Sequence, residues 1–282
     1  MQNLNLKEFD MRKISFLKEE NKGPVIIMLG RRDTGKSFLI RDLLYHHTSI
    51  PIGTVMSATE VVNKFYGNIM PKICIHDEYK KSIIQKVLSR QKKVMDIVNK
   101  QLEINGKMNI DPRTYVILDD CLYDNSWSKD VLMRMLFMNG RHWKIMLIIT
   151  MQYPLGIPPV LRTNIDYVFI LREPVASNRR RIYDNYAGMF PTFEAFCQIM
   201  DQCTENYECL VVDNNSKSNK LSEQIFWYKA KKRPDFKMCS KNVWEQSKKL
   251  ERDNYNNDED EYDPSSFKKK NSTQINVRKN KW

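Results

Sequence analysis

Short apolar runs recur along this chain, separated by longer stretches in which apolar residues return at helical spacing. The runs lie at 25–29 (VIIML), 53–58 (GTVMSA), 72–76 (KICIH), 115–119 (YVILD), 144–150 (KIMLIIT), 167–171 (YVFIL), 208–213 (ECLVVD) and 225–230 (IFWYKA). Several are apolar at consecutive positions, which predicts strands buried on both faces. Between the third and fourth runs, at about 78–104, Ile83, Ile84, Val87, Val94, Met95, Val98 and Leu102 keep a helical period until Asn105-Gly106 stops it. A second helix-like segment covers 129–141. The alternation predicts an α/β fold, with a mainly parallel sheet between helices. Trp143, Tyr153, Phe169, Trp227 and Tyr228 fall in or beside the apolar runs and read as packing residues.

A chain of 282 residues is long enough for one sizeable core with appendages. The pattern divides it into an N-terminal extension (1–22), a main domain (23–230), a basic helical extension (231–252) and a charged tail (253–282). The tail is acidic, then basic, and almost free of aliphatic residues, so it is expected to be disordered. No internal repeat is present.

Charge narrows the partners. Lysine and arginine number 46 against 34 acids, a formal net charge of +12, which favours a polyanion such as nucleic acid or an acidic membrane surface. Lys80, Lys81, Lys86, Arg90, Lys92 and Lys93 fall on the polar side of the long helix, as a solvated face or a nucleic-acid contact. The opening residues lack the apolar core of a signal peptide, and no run approaches the roughly 20 apolar residues of a membrane span. A soluble intracellular protein is expected. The six cysteines are scattered without a C-x-x-C pair or nearby histidines, so most read as reduced core thiols, not as a metal site.

The chemistry concentrates at GRRDTGKS, residues 30–37, which matches G-x-x-x-x-G-K-[ST] between the 25–29 strand and a helical stretch starting at Phe38. In that setting Gly30, Arg31, Arg32, Asp33, Thr34, Gly35, Lys36 and Ser37 form a loop whose N–H groups and helix end cradle phosphates. Lys36 is placed to reach β- and γ-phosphates, and Ser37 to hold Mg²⁺. Asp33 must point away from the anion. At the end of the 115–119 strand, Asp119 is placed to bind the metal and Asp120 to polarise a water. Gln152, ending the 144–150 strand with Thr150 behind it, is the candidate γ-phosphate sensor. Arg141, at the end of the 129–141 helix, is the candidate arginine finger, with Arg162, Arg172 and Arg179-Arg180-Arg181 as competitors. Asn63-Lys64-Phe65-Tyr66 lacks the acid of an N-K-x-D guanine reader, which argues against a GTPase.

The order GRRDTGKS, YVILDD, then NGRHWKIMLIITMQYPLGIPPVLRTNIDYVFIL resembles the FtsK/HerA superfamily of DNA-pumping P-loop ATPases. Within it the chain looks most like the genome-packaging ATPases of nucleocytoplasmic large DNA viruses, the poxvirus type, over about residues 23–230. The resemblance implies a RecA-like core, ATP with Mg²⁺, and a homo-oligomeric ring that grips double-stranded DNA without base specificity. It further implies capsid or inner-membrane packaging-site partners, at viral factories or assembly sites of the host cytoplasm or with the virion. Residue by residue, Lys36 and Ser37 match the phosphate-loop ligands, Asp119 the metal acid, Asp120 the catalytic acid, Gln152 the sensor and Arg141 the finger. Two departures stand out. Cellular pumps of this type usually carry glutamate where Asp120 stands, and no text here corresponds to their DNA-orienting domain. Two other classes stay open: a phosphotransferase, disfavoured by the doubled acid and the basic surface, and a nucleotide-gated DNA-binding or capsid-docking protein with little turnover.

Overall fold

The structure, a computed structural model, describes residues 5–16, 22–122, 125–154 and 156–257. Its centre is a sheet of nine strands among the described residues: β1 (Lys7–Glu8), β2 (Val25–Leu29), β3 (Ile52–Ser57), β4 (Ile75–His76), β5 (Thr114–Asp119), β6 (Ile145–Met151), β7 (Tyr167–Ile170), β8 (Glu208–Asp213) and β9 (Ile225–Lys229). They stand in the order β1-β9-β8-β7-β2-β6-β5-β3-β4. All run in one direction except β8, which is antiparallel to both β7 and β9. The expected mainly parallel α/β sheet is therefore present.

Consecutive apolar residues on the central strands face opposite cores. Val25, Ile27 and Leu29 of β2 belong to one and Ile26 and Met28 to the other, and all five are buried. The first core is covered by α3 (Lys81–Asn105), α4 (Val131–Asn139), α6 (Ala176–Tyr186) and α7 (Phe193–Cys203). The second is covered by α1 (Lys36–Tyr45) together with both flanking segments, and the short helices α2 (Glu60–Asn63), α5 (Pro159–Arg162) and α8 (Leu221–Gln224) lie in the connections. Residues 5–16 are part of this core. The Phe9 ring meets Tyr167, Phe169, Phe226 and Tyr228 edge-on at centroid distances of 5.6–6.5 Å. From the other end of the chain, Met238 is fully buried in the same cluster.

Four details differ from the sequence reading. In the 72–76 run only Ile75–His76 is strand; Lys72–Cys74 is a 3-10 turn closed by the Cys74 N–H on the Pro71 carbonyl at 3.0 Å. β1 went unforeseen because its two residues are exposed and its partner, β9, is supplied from the far end of the chain. Arg90 leaves the basic face of α3: burial lowers its pKa, and its Nη2 donates to Thr114 Oγ1 at 3.1 Å. The last helix, α9 (Lys241–Asn257), runs past the boundary expected at 252. Within it Ser247 is buried and donates its hydroxyl to Glu251 one turn on, which in turn pairs with Lys72 at 2.9 Å, so tertiary contacts hold the helix beyond what its composition suggests. The rest of the expected charged tail, 258–282, lies outside the described residues. No helix among the described residues is long and apolar enough to cross a membrane.

Candidate nucleotide site

Sheet register assembles the site. At the carboxyl ends of the strands, Ser57 of β3 pairs with Asp119 of β5, and Asp119 pairs with Thr150 of β6. Three residues far apart in sequence thus form one row beside β2, whose Leu29 leads into the GRRDTGKS loop. The carboxyl edge of an open parallel sheet is where such folds bind ligands.

The loop is fixed at both ends. The Gly30 N–H donates to the Met151 carbonyl at 3.0 Å, and the Thr34 hydroxyl donates to the Arg31 carbonyl at 2.8 Å. Gly35 enters α1 at φ 99°, a left-handed conformation that glycine adopts without steric cost. Asp33 takes the left-handed region as well, at φ 61°, and is exposed. No side chain caps α1, so its first N–H groups and its positive dipole end remain available to an anion. Lys36 is buried, and its ammonium reaches the carbonyl oxygens of Gly30 at 2.9 Å and Arg31 at 3.0 Å. Ser37 follows it, exposed, on the first turn.

The two acids at the end of β5 are turned to different tasks by one hydroxyl. Thr150 Oγ1 donates to Asp119 Oδ1 at 2.7 Å and accepts the Asp120 N–H at 2.9 Å. Asp120 sits at φ 45°, a conformation costing a non-glycine residue about 1 kcal/mol, which the Thr150 bond helps to hold. Its Oδ2 then lies 3.2 Å from Lys36 Nζ and accepts from Gln152 Nε2 at 3.2 Å. Asp119 points inward. Its Oδ2 accepts from the Tyr66 hydroxyl at 2.9 Å and the Ser57 hydroxyl at 3.4 Å. Burial raises the Asp119 pKa, an effect the Thr150 and Tyr66 hydroxyls partly offset. Burial, with the nearby carboxylate second, also pushes the Tyr66 phenol well above its ordinary value, so it stays a donor. Tyr66 is itself anchored, because Glu60 accepts the N–H groups of Tyr66 and Gly67 at 2.9 and 2.7 Å.

Lys36, Asp119, Asp120, Thr150 and Gln152 are thus brought together. A cavity of about 630 Å³ opens beside them, with Arg31, Arg32, Asp33 and Thr34 on one wall and Gln152, Arg172 and Tyr207 on the other. A second cavity, of about 420 Å³, lies against Asp120, Thr150 and Gln152. The donor set fits a nucleoside triphosphate with its cation: a cationic loop, an uncapped helix end and one caged carboxylate beside it.

Arg141 is not brought there. It precedes β6 at the opposite edge of the sheet, where its Nη2 bonds the buried Asp166 at 2.7 Å and its carbonyl accepts the Gly23 N–H at 2.9 Å. Of its competitors, Arg162 bonds Asn185 and Arg179 pairs with Asp201, while Arg172 alone among these lines the larger cavity. Tyr153 also departs from expectation: it is 49% exposed, with Arg181 over its ring at 5.4 Å. Sequence reading missed Ser57, Tyr66 and Glu60. Ser57 ends an apolar run at the carboxyl edge and was findable by that rule; Tyr66 and Glu60 carry no pattern that points to Asp119.

No protein-family model matches the chain. Uncharacterized protein L437 of Acanthamoeba polyphaga mimivirus is 39% identical over 229 residues, covering 81% of this chain and 78% of its own. Uncharacterized protein 075L of Invertebrate iridescent virus 6 is 40% identical over 234 residues, covering 81% and 86%. The chain belongs to this viral family. Its α/β P-loop NTPase fold is similar to that of the pCW3 conjugation coupling protein TcpA, solved with ATPγS, which superposes over 89% of this chain and 75% of its own with a TM-score of 0.51 at 12% identity. The genome packaging NTPase B204 of Sulfolobus turreted icosahedral virus 2 covers 75% of this chain and 99% of its own, with a TM-score of 0.49 at 16% identity. The family's shared length takes in about four-fifths of this chain.

Proposed function

We propose that this family member is an ATP-hydrolysing motor that moves double-stranded DNA, and that its cargo is a viral genome on the way into a capsid. One observation carries the reading. Lys36 of the loop and Gln152 after β6 both meet Asp120 Oδ2, each at 3.2 Å, at the edge of an open cavity. A cation, an acid and an amide from three separate strand ends converge there on one oxygen, where a packing role needs none of them.

MgATP, when bound, supplies the phosphoanhydride to be cleaved and the cation that offsets its charge. Lys36 and the N–H groups of residues 30–37 hold the phosphates, and Ser37 with Asp119 holds the cation. Asp120 leaves Lys36 and takes a proton from the attacking water. Gln152, bonded to the same carboxylate, relays the change to the loop after β6. With Arg141 committed to Asp166, the finger falls to Arg172, which faces the cavity. Tyr207, 70% exposed beside Gly35, offers a flat face to the nucleobase.

The net charge of +12 supports DNA as the polyanion. Contacts to the backbone, without base reading, make binding fall steeply with salt. A homo-oligomeric ring at the assembly sites of an infected cell, docked on capsid or inner-membrane proteins, accords with the viral relatives.

Phosphate release from ATP, measured with and without long duplex DNA, tests the reading. DNA-stimulated release, abolished by Lys36→Ala and by Asp120→Asn, is expected. Nucleotide binding without release at concentrations that permit assembly would replace the motor with a nucleotide-gated binding protein. Transfer of the γ-phosphate to a small acceptor would replace it with a kinase.

A further inference from the structure

Away from the nucleotide site, the chain brings two cysteines together from opposite ends of the domain. Cys74 closes the turn before β4 and is buried. Cys239 lies between β9 and α9, half-buried, with its backbone at φ 70°. Its neighbours are clamped to the sheet edge: the Met238 N–H donates to the Ile69 carbonyl and the Ser240 N–H to the Pro51 carbonyl, each at 2.8 Å. This packs Cys239 into the same cluster as Cys74, near enough for each thiol to shift the proton affinity of the other.

Donors surround the pair. The Tyr115 hydroxyl stands 3.4 Å from Cys239 Sγ, and the Gly53 backbone lies beside both cysteines and lowers the proton affinity of each. Gly53 is required for this, since a Cβ there would fall within 2.1 Å of the Tyr115 ring. Arg90 adds charge. Among the described residues its buried Nε has no hydrogen-bond partner and its Nη2 donates to the neutral Thr114 hydroxyl, while the two cysteines favour its charged form against burial. Buried arginine calls for a counter-anion, which a thiolate at this pair would supply.

We propose that Cys74 and Cys239 are a redox-active pair, in which Cys239 attacks an oxidant, Cys74 resolves, and the resulting disulfide clasps the segment carrying α9 to the sheet. The Cys74 thiol first, then Tyr115, Gly53 and Arg90, hold the Cys239 proton affinity below that of an ordinary thiol, against the effect of burial. Cys74 is driven the other way by Cys239 and by burial, which suits a resolving thiol. By contrast, burial pushes the Cys121 thiol up to about 12, the behaviour of an inert core cysteine.

With a hydroperoxide as oxidant, the Cys239 thiolate takes the terminal oxygen, the O–O bond breaks, and hydroxide leaves. The Cys74 sulfur then attacks the sulfenic sulfur of Cys239, giving the S–S bond and releasing the oxygen as water. In sum two thiols lose two electrons and two protons, and hydrogen peroxide becomes two waters.

The test uses the full chain. The wild type is treated with hydrogen peroxide near equimolar amounts, alkylated and digested without reductant. A peptide linking Cys74 to Cys239 is expected, with Cys121 and Cys209 recovered as free thiols. Trypsin cleavage after Lys231 and Lys232 should slow on oxidation and recover with dithiothreitol. Cys74→Ser should leave a sulfenic acid at Cys239 that dimedone traps. The proposal is overturned if the wild type yields no 74–239 link, if Cys239 passes to sulfinic acid without linking, or if it is oxidised no faster than Cys121.

Discussion

Asp119 and Asp166 are both 5% exposed and both carry a pKa raised by burial, yet they sit at opposite edges of one sheet and are satisfied in opposite ways. Asp166 is complete within the chain. One oxygen accepts the Val25 N–H at 2.7 Å and the other the Arg141 guanidinium at 2.7 Å, so it ties the start of β2 to the turn before β6. Asp119 is held by the neutral hydroxyls of Thr150, Tyr66 and Ser57, with Lys36 only a minor influence. Hydroxyls orient a carboxylate without neutralising it. A buried acid paired with arginine is a strut; a buried acid caged by hydroxyls is a place for a cation.

The largest effect expected from this contrast is at the loop. Lys36→Ala should cut ATP turnover by at least about 100-fold, while the urea midpoint stays within the range of a surface substitution or rises, since Asp120 returns to solvent. A turnover loss under about tenfold would sever Lys36 from the chemistry.

Next come the two aspartates given the same substitution. Asp166→Asn strands the Arg141 charge, which outweighs the relief of a carboxylate whose own pKa is raised by burial, and should cost up to about 3 kcal/mol of stability in chemical unfolding. Asp119→Asn should have the opposite sign without ligand at neutral pH. Its raised pKa means that its favourable contribution is present below the ordinary carboxylate range and is lost as pH rises, so removing the charge raises the urea midpoint. The same variant should lose the extra stability that Mg²⁺ with nucleotide gives the wild type. Equal losses in both variants would erase the distinction between strut and cation site.

A third measurement concerns His47, just past the end of α1 at the strut side of the sheet. Burial lowers its pKa to about 4, and its Nε2 lacks a partner among the described residues. A histidine kept neutral in the fold contributes stability above its ordinary value of about 6.5, and loses it as pH falls towards the folded value. Between pH 7 and pH 5 the wild type should therefore lose about 2 kcal/mol that His47→Gln does not. Identical pH profiles would remove His47 as the cause.

The smallest expected effect is that of Tyr66→Phe. It deletes one hydroxyl from the Asp119 cage, costs about 1 kcal/mol, and should shift the Mg²⁺ concentration that half-saturates nucleotide binding. An unchanged Mg²⁺ dependence would make Tyr66 a packing residue alone.

Sequence pattern alone placed the central strands, the loop and the order of the chemistry. Runs such as Val25–Leu29 and Ile145–Met151 are apolar at every position because both faces are covered, and that density is visible without coordinates. Gly35 and Lys36 were legible from the G-x-x-x-x-G-K-[ST] spacing, and Asp119, Asp120 and Gln152 because each lies at the end of such a run, where a parallel sheet exposes polar groups. Tertiary structure alone decided how they are used. Register set Ser57, Asp119 and Thr150 in a row, and a turn with no apolar period delivered Tyr66 to Asp119. It also pairs Arg141 with Asp166 and Arg90 with Thr114, partners no sequence neighbour suggested, since a charge's partner is fixed by what the fold places within a few ångströms. Period and composition report which face of an element is buried. They do not report which distant element covers it, and pairings such as β1 with β9 or Cys74 with Cys239 exist only across that distance.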